Sequence, residues 1–182
     1  MKIAIIGTHG IGKTTLTYLI AAEGKKRGKN VASLAEVARS CPFPLNDKFD
    51  VDGAQLIISS QINRELTAKA EKYDVLVCDR SAYDPICYLQ AGNHPQRSYE
   101  KLRWYAEEWL KTYDKIIFVS PSEVPLQDDG VRSLDTDFQM VVHDKFAVLS
   151  MTIRQTRLDG IMAEDIFNDS GELEKLYDRI FR

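Results

Sequence analysis

The sequence has little of what marks several common classes of protein. Its 182 residues include three cysteines, an odd number in which no pair has the spacing of metal ligands. This argues against a disulfide-stapled scaffold and predicts a reduced, cytoplasmic protein, with Cys78 as a small core residue. No apolar run approaches the ~20 residues of a membrane span, and the chain enters a strand at once. Neither a membrane partner nor a signal peptide is therefore expected.

An excess of positive charge is also lacking. The chain carries 24 Lys and Arg against 27 Asp and Glu, a formal net charge of −3. This balance argues against nonspecific affinity for nucleic acid. Apolar residues make up 44% of the chain, enough for a sizeable core, and no repeat or linker interrupts it. We therefore predict that residues 1–182 form a single domain. The composition is also compatible with a homodimer.

The most informative stretch is a glycine-rich loop near the N-terminus. Residues 7–14 read Gly-Thr-His-Gly-Ile-Gly-Lys-Thr, which matches the phosphate-loop pattern G-x-x-x-x-G-K-[ST]. An apolar run over 2–6 predicts a strand before it, and 14–26 predicts a helix after it, which is the context that this motif requires. Because a chance match rarely has that context, we expect a nucleotide to be bound by Gly7, Thr8, His9, Gly10, Ile11, Gly12, Lys13, Thr14 and Thr15.

The residue types in this loop suit a triphosphate. Backbone N–H groups of the loop and the helix start can surround the phosphates, and Lys13 places a cation on the β- and γ-phosphates. The Thr14 hydroxyl is a ligand for Mg²⁺, and Thr15 adds a hydroxyl near the α-phosphate. His9 is interpreted as a loop position rather than a catalytic group. No Asn-Lys-x-Asp pattern for guanine is present, so ATP is the expected nucleotide.

Strands and helices alternate along the rest of the chain. Further strands are predicted over 31–34, 75–78 and 115–119, with a weaker one over 151–156. Helices are predicted over 53–72 (capped by Asp50 or Asp52), over 98–112, from 134 or 135 to 149, and at the C-terminus over about 172–181. This alternation predicts an α/β fold with a parallel sheet covered on both faces. Ligands of such folds bind at the carboxyl ends of the strands.

Charged residues follow the third predicted strand. Asp79 can hold Mg²⁺ through water, or it can simply cap a turn at the end of its strand. Arg80 can bind phosphate in bidentate fashion and offset developing charge, or it can form a surface ion pair with Asp84. Beside a phosphate loop we favour the metal role for Asp79 and the phosphate role for Arg80.

Charged residues also follow the second predicted strand. Glu36 can accept a proton from an attacking hydroxyl or bind the acceptor, or it can be a solvated residue at a helix start. Arg39 lies one helical turn further on and either faces the same cleft or lies on the surface. A polar stretch over about 121–134 is a candidate closing lid, in which Arg132 either supplies charge on closure or belongs to a surface turn.

Four short motifs together resemble one group of proteins. GTHGIGKTT, LAEVAR, VCDRS and DDGVR are similar to segments of the P-loop kinase-like ATPases, which include the ribosylnicotinamide kinase module of bacterial regulators of NAD biosynthesis. Deoxynucleoside and thymidylate kinases are wider relatives. The resemblance covers roughly residues 1–150 and implies a P-loop NTPase fold, a three-layer α/β/α sandwich with sheet order 2-3-1-4-5. It also implies ATP with Mg²⁺ and transfer of the γ-phosphoryl group to a small-molecule acceptor.

Two functions follow from these observations. The first is an ATP-dependent kinase of a nucleoside, nucleotide or nicotinamide riboside-like acceptor, with Lys13, Glu36, Asp79, Arg80 and Arg132 as catalytic residues. In it, Glu36, Arg39 and Arg80 bind the acceptor, and Thr14 and Asp79 hold the metal. The alternative is a nucleotide-binding regulatory ATPase without a small-molecule acceptor. A structural domain with a degenerate loop is disfavoured because Lys13 and Thr14 are intact.

Overall fold

The computed structural model describes residues 1–121, 135–153, 158–168 and 171–182. Strands and α-helices alternate along them: β1 (Lys2–Ile6), α1 (Lys13–Lys26), β2 (Val31–Leu34), α2 (Val51–Ala70), β3 (Val75–Asp79), α3 (Asp84–Ala91), α4 (Gln96–Leu110), β4 (Lys115–Ser120), α5 (Thr136–Ile153), β5 (Leu158–Met162) and α6 (Glu172–Phe181). Short 3-10 helices lie at Val37–Ser40, Asn46–Lys48 and Glu164–Ile166. Within the described ranges, no helix has both the length and the apolar character needed to cross a membrane.

The strands form one parallel sheet in the order β2-β3-β1-β4-β5. In the central register, Ile5 lies between Asp79 of β3 and Ile117 of β4. The predicted α/β fold with sheet order 2-3-1-4-5 is confirmed. Because all five strands run in one direction, their carboxyl ends share one edge of the sheet. The glycine loop, Glu36 and Arg80 all leave the sheet at that edge.

Helices cover both faces of the sheet, so the three-layer architecture is also confirmed. Alternate residues of β1 point to opposite faces. Ala4 and Ile6 pack into a core under α2, α3, α4 and α5, whereas Ile3 and Ile5 pack into a second core under α1 and α6. Each buried isoleucine of this kind contributes about 1.5–3 kcal/mol. Residues alternate in the same way along β3. Asp79 therefore lies on the face of the sheet that α1 covers, together with Val75 and Val77.

The starts of α2 and α4 agree only partly with the starts predicted from the sequence. Asp50, one of the two predicted caps, begins α2 by accepting a hydrogen bond from the Gly53 N–H at 2.8 Å. Helix α4 begins at Gln96, directly after Pro95, rather than at Ser98. Proline suits a helix start because its missing N–H has no intrahelical partner there.

The prediction of a strand over 151–156 is wrong. Helix α5 continues to Ile153, and the fifth strand is Leu158–Met162. Phe146, Leu149 and Ile153 follow helical spacing on the face that packs against the core, and this packing extends the helix through residues with strand propensity. Val141 of the same helix is 42% exposed.

Candidate active site

The glycine loop joins β1 to the N-terminus of α1. Gly7 and Gly12 have positive φ angles of 141° and 84°. A Cβ atom on Gly7 would lie 2.6 Å from the Val119 carbonyl oxygen, and one on Gly12 would lie 2.8 Å from the Phe167 ring. Both positions therefore require glycine for conformation and for space. The result is a tight loop leading into the N–H groups that begin a helix, a geometry suited to an anion.

Lys13 is buried inside this loop. Its Nζ donates a hydrogen bond to the Thr8 backbone carbonyl. Burial, with the nearby Arg80 cation adding to the effect, lowers the pKa of Lys13 to about 7, although the carboxylates of Glu36 and Asp79 act in the opposite direction. An anion in the loop would favour the charged ammonium and raise this pKa. The protonation of Lys13 is thus expected to depend on whether phosphate is bound.

Asp79 and Thr14 meet at the base of the loop. The Thr14 hydroxyl donates to Asp79 Oδ2 at 2.6 Å, while Asp79 Oδ1 is buried and has no hydrogen-bond partner among the described residues. Leaving such an oxygen unpaired costs about 1–3 kcal/mol or more. Among the described residues no group of three or more His, Cys, Asp or Glu could hold a metal by itself. Mg²⁺ is usually held by one or two protein oxygens with phosphates and water, so this pair fits it.

Arg80 is the centre of a buried ion cluster. Its Nε pairs with Glu36, and its Nη1 lies 3.2 Å from Asp84 Oδ2. Burial opposes the charge of the guanidinium, yet Glu36, Tyr88 and Asp84 outweigh burial and hold the pKa of Arg80 well above its usual value. Its backbone has a φ of 86°, and its N–H donates to the Ile5 carbonyl at 3.0 Å. Arg80 is therefore a permanent cation in a defined position. Its ion pair with Asp84 is buried and does not lie on the protein surface.

Glu36 is also buried, so the alternative of a solvated helix-start residue is wrong. It precedes the 3-10 helix Val37–Ser40, and its side chain is 7% exposed. Besides Arg80 it pairs with Arg39, whose Nε lies 3.3 Å from Glu36 Oε2. The Arg39 side chain is 40% exposed, and it does not line the pocket that lies beside this ion cluster. Arg39 thus reaches the site through Glu36.

A pocket that is partly open to solvent lies beside this cluster, and its cavity volume is about 60 Å³. One part of its wall carries polar groups that converge near the phosphate loop: His9, Glu36, Gln61, Arg80, Ser81, Asp84 and Tyr88. The rest is largely apolar and includes Val37, Ala38, Leu45, Phe49, Ile57 and Pro85. Such a combination suits a small organic molecule that has both an apolar body and polar groups.

His9 joins the loop to the pocket wall and to α5. Its Nδ1 lies 3.3 Å from the Tyr88 hydroxyl, and its ring stacks on Phe138 with centroids 6.2 Å apart. The His9 backbone carbonyl accepts a hydrogen bond from Gln139 Nε2 at 2.8 Å. Although His9 occupies a free position of the loop motif, it is buried and helps to shape the pocket.

Sequence reasoning missed part of this site. Gln61, Asp84 and Tyr88 line the pocket, yet none belongs to a recognisable motif. The available signal is a polar residue that breaks an apolar helical face, as Gln61 does between Ile57 and Ile62 of α2. Such a residue is usually either hydrogen-bonded in the core or placed at a site.

The structure brings together some, but not all, of the residues predicted for the site. Lys13, Thr14, Glu36, Asp79 and Arg80 come together at one edge of the sheet, as the contacts above show. Thr15 is exposed at the start of α1. Arg132 and the lid candidate, apart from Pro121, lie outside the described residues.

The sheet order and the glycine loop between β1 and α1 define the fold class of the P-loop kinases. More specifically, the chain belongs to the AAA domain family, whose model matches residues 2–151. No curated protein matches the sequence significantly.

Solved structures of deoxyadenosine kinase from M. mycoides are similar in fold. One, with dCMP and a flexible dCDP bound, has a TM-score of 0.68 at 17% identity and covers 99% of this chain and 98% of its own. Another, with dATP bound, has a TM-score of 0.68 at 16% identity and covers 100% of both chains. At such low identity the likeness supports the fold over the whole chain.

Proposed function

We propose that this protein is an ATP-dependent small-molecule kinase that phosphorylates a nucleoside, nucleotide or nicotinamide riboside-like acceptor. The observation that carries the proposal is the pocket with a largely apolar wall that extends from His9 of the phosphate loop to the Glu36–Arg80 pair. An ATPase that only hydrolyses ATP needs room for water at this point, whereas an apolar wall suits the body of an organic acceptor. The fold shared with deoxyadenosine kinase supports the same class of acceptor.

The phosphate loop side of the site would bind the nucleotide. Lys13 and the backbone N–H groups of the loop contact the phosphates of ATP, with Thr15 near the α-phosphate. Thr14 and the unpaired Oδ1 of Asp79 would hold Mg²⁺, which supplies neutralisation of charge on the β- and γ-phosphates. In this arrangement the residues act mainly by positioning and by charge, as phosphoryl transfer requires.

The pocket side of the site would bind and activate the acceptor. The acceptor hydroxyl oxygen forms a bond to the γ-phosphorus while the bond from that phosphorus to the bridging oxygen of ADP breaks. Glu36 accepts the proton of the hydroxyl, and Arg80 offsets the charge that develops on the transferred group. Arg39 keeps Glu36 oriented through their contact, and Arg132 remains predicted to add charge on closure.

A panel of acceptors tests the proposal directly. Nucleosides, nucleotides and nicotinamide riboside are each incubated with Mg-ATP, and the phosphorylated product is identified by mass. We expect at least one acceptor to be phosphorylated and to increase ADP release above the rate without acceptor. Absence of product from the whole panel would contradict the proposal. Hydrolysis of ATP that no acceptor changes would favour the regulatory ATPase instead.

Replacement of Asp79 by asparagine is expected to raise the Mg²⁺ concentration for half-maximal activity by about 10–100-fold, the usual cost of a damaged metal environment. The amide can still accept the Thr14 hydrogen bond, so the loop should keep its shape. The measurement is a Mg²⁺ titration of ADP release at fixed ATP. The matched control is Asp52→Asn on the exposed first turn of α2. An unchanged Mg²⁺ dependence in Asp79→Asn would rule out the metal role.

A further inference from the structure

A buried carboxylate on α2 lies just outside the pocket. Glu65 is 2% exposed and accepts four hydrogen bonds, two on each oxygen. Its Oε1 accepts from Gln61 Nε2 at 2.9 Å and from the Tyr113 hydroxyl at 2.6 Å. Its Oε2 accepts from Lys2 Nζ at 2.7 Å and from Trp109 Nε1 at 2.8 Å. A carboxylate with donors on both oxygens is held in one orientation.

This carboxylate determines how Gln61 faces the pocket. The Gln61 amide nitrogen donates to Glu65 Oε1 and, at 3.5 Å, to the Arg80 backbone carbonyl. Both of its N–H groups are therefore used, and within the described part of the chain the carbonyl oxygen is the group left for a ligand. The flipped amide would place that oxygen against two other acceptors, which is unfavourable. Because Gln61 lines the pocket, the pocket presents a hydrogen-bond acceptor at this point.

A second branch from Glu65 reaches the turn that carries Arg80. The Tyr113 hydroxyl donates to Glu65 and accepts from the Ala82 N–H at 3.0 Å. Burial and the Glu65 carboxylate raise the pKa of Tyr113 well above its usual value, so the hydroxyl keeps its proton. Glu65 is thereby connected to both the polar wall of the pocket and the backbone next to Arg80.

We propose that Glu65 is a positioning residue for the acceptor pocket: it locks the Gln61 amide so that its carbonyl oxygen faces the ligand, and it thereby selects molecules that carry a hydrogen-bond donor at that point. The inference rests on the proposed function, since it assumes that the acceptor lies in this pocket. It adds the class of group that the acceptor must present.

The test compares ligands that differ in one amino or amide group. The pairs are deoxyadenosine with purine deoxyriboside, deoxycytidine with 2-pyrimidinone deoxyriboside, and nicotinamide riboside with nicotinic acid riboside. Binding of each is measured by titration calorimetry with the full-length protein. In at least one pair the wild type should favour the donor-bearing ligand by about tenfold or more, because the other leaves a buried acceptor unpaired. In Glu65→Gln the ratio should fall to about threefold or less, since Gln61 can then present either end.

A double-variant cycle separates positioning from simple loss of structure. Gln61→Leu should abolish the preference, and adding Glu65→Gln to it should change the ratio no further. Trp109→Phe, which removes a donor from the far oxygen of Glu65, should lower the melting temperature but keep the wild-type ratio. Glu108→Gln on the exposed face of α4 controls for the change of charge.

Each outcome bears on the inference. A folded Glu65→Gln protein with the wild-type ratio would overturn it. If that variant does not fold, Gln61→Leu decides, and retention of the preference in Gln61→Leu would overturn the inference equally. A wild-type protein that binds these ligands without preference contradicts the role of Glu65 alone. A wild-type protein that binds none of them contradicts the proposed function, and the inference fails with it.

Discussion

Replacement of Glu36 by glutamine is expected to slow phosphoryl transfer by about 10²–10⁴-fold, the usual contribution of a general base. Glutamine keeps the shape of the side chain, and its single carbonyl oxygen can still accept from Arg80, but its NH2 group then faces Arg39 and it cannot take the proton of the acceptor. Because the proposed role of Glu36 concerns the acceptor and not the phosphates, ATP affinity should change by no more than a few-fold. Steady-state kinetics and calorimetry with an ATP analogue measure the two quantities.

Two controls make the result on Glu36 specific. Arg39→Gln removes the more exposed partner of Glu36 and should have a much smaller effect on the maximal rate. Because Glu36→Gln leaves the buried Arg80 cation with less compensation, rates are compared well below the melting temperature of each variant. Equal losses of rate and of ATP affinity would show that Glu36 is not the base.

Replacement of Lys13 by methionine is expected to weaken ATP binding by about 100-fold, through loss of charge-assisted hydrogen bonds to phosphate, and to stabilise the protein without nucleotide. Burial gives Lys13 a pKa of about 7 in the folded protein, against the usual 10.5 of a lysine in water. Between pH 7 and pH 10.5 the unfolded chain binds more protons than the folded protein. The free-energy cost of burying the Lys13 charge is therefore largest below pH 7 and declines as the pH rises to 10.5. Methionine removes this cost, so its gain in melting temperature should be largest below pH 7.

The same shift predicts how ATP affinity depends on pH. Above pH 7 the wild type must take up a proton at Lys13 when phosphate binds, so affinity should fall with pH by up to about tenfold per unit. Calorimetry in buffers of different ionisation enthalpy detects the proton. Lys13→Met should lack the uptake, whereas Lys26→Met at the exposed end of α1 should behave as the wild type. Unchanged ATP affinity in Lys13→Met would instead favour a structural domain with a degenerate loop.

Much of the fold could be predicted because its signals are local. The glycine loop between an apolar strand and a helix is contiguous in sequence, and β3 reads as an apolar run that ends in Asp79. Parallel strands then bring Glu36, Asp79 and Arg80 to the edge that holds the loop, which is why their proximity follows from topology. The contact of Thr14 with Asp79 joins residues that are 65 positions apart, yet it was foreseeable from that rule.

Other features could not be predicted because they depend on packing between distant segments. The extension of α5 through Ile153 is stabilised by the core, against the strand propensity of its last residues. Glu65 looks like an ordinary helix residue until Trp109 and Tyr113, 44 and 48 positions away, donate to it. The wall formed by Gln61 and Tyr88 arises in the same way.

The sequence by itself determined four of the five strands, the phosphate loop and the edge at which the charged residues gather, because hydrophobic period and glycine conformation act over a few neighbouring residues. The tertiary structure alone decided that Glu36 is buried against Arg80, that a pocket extends beyond them, and that Glu65 orients Gln61. These features depend on exclusion of water and on distances of about 3 Å between hydrogen-bonding atoms, which only the packed helices provide.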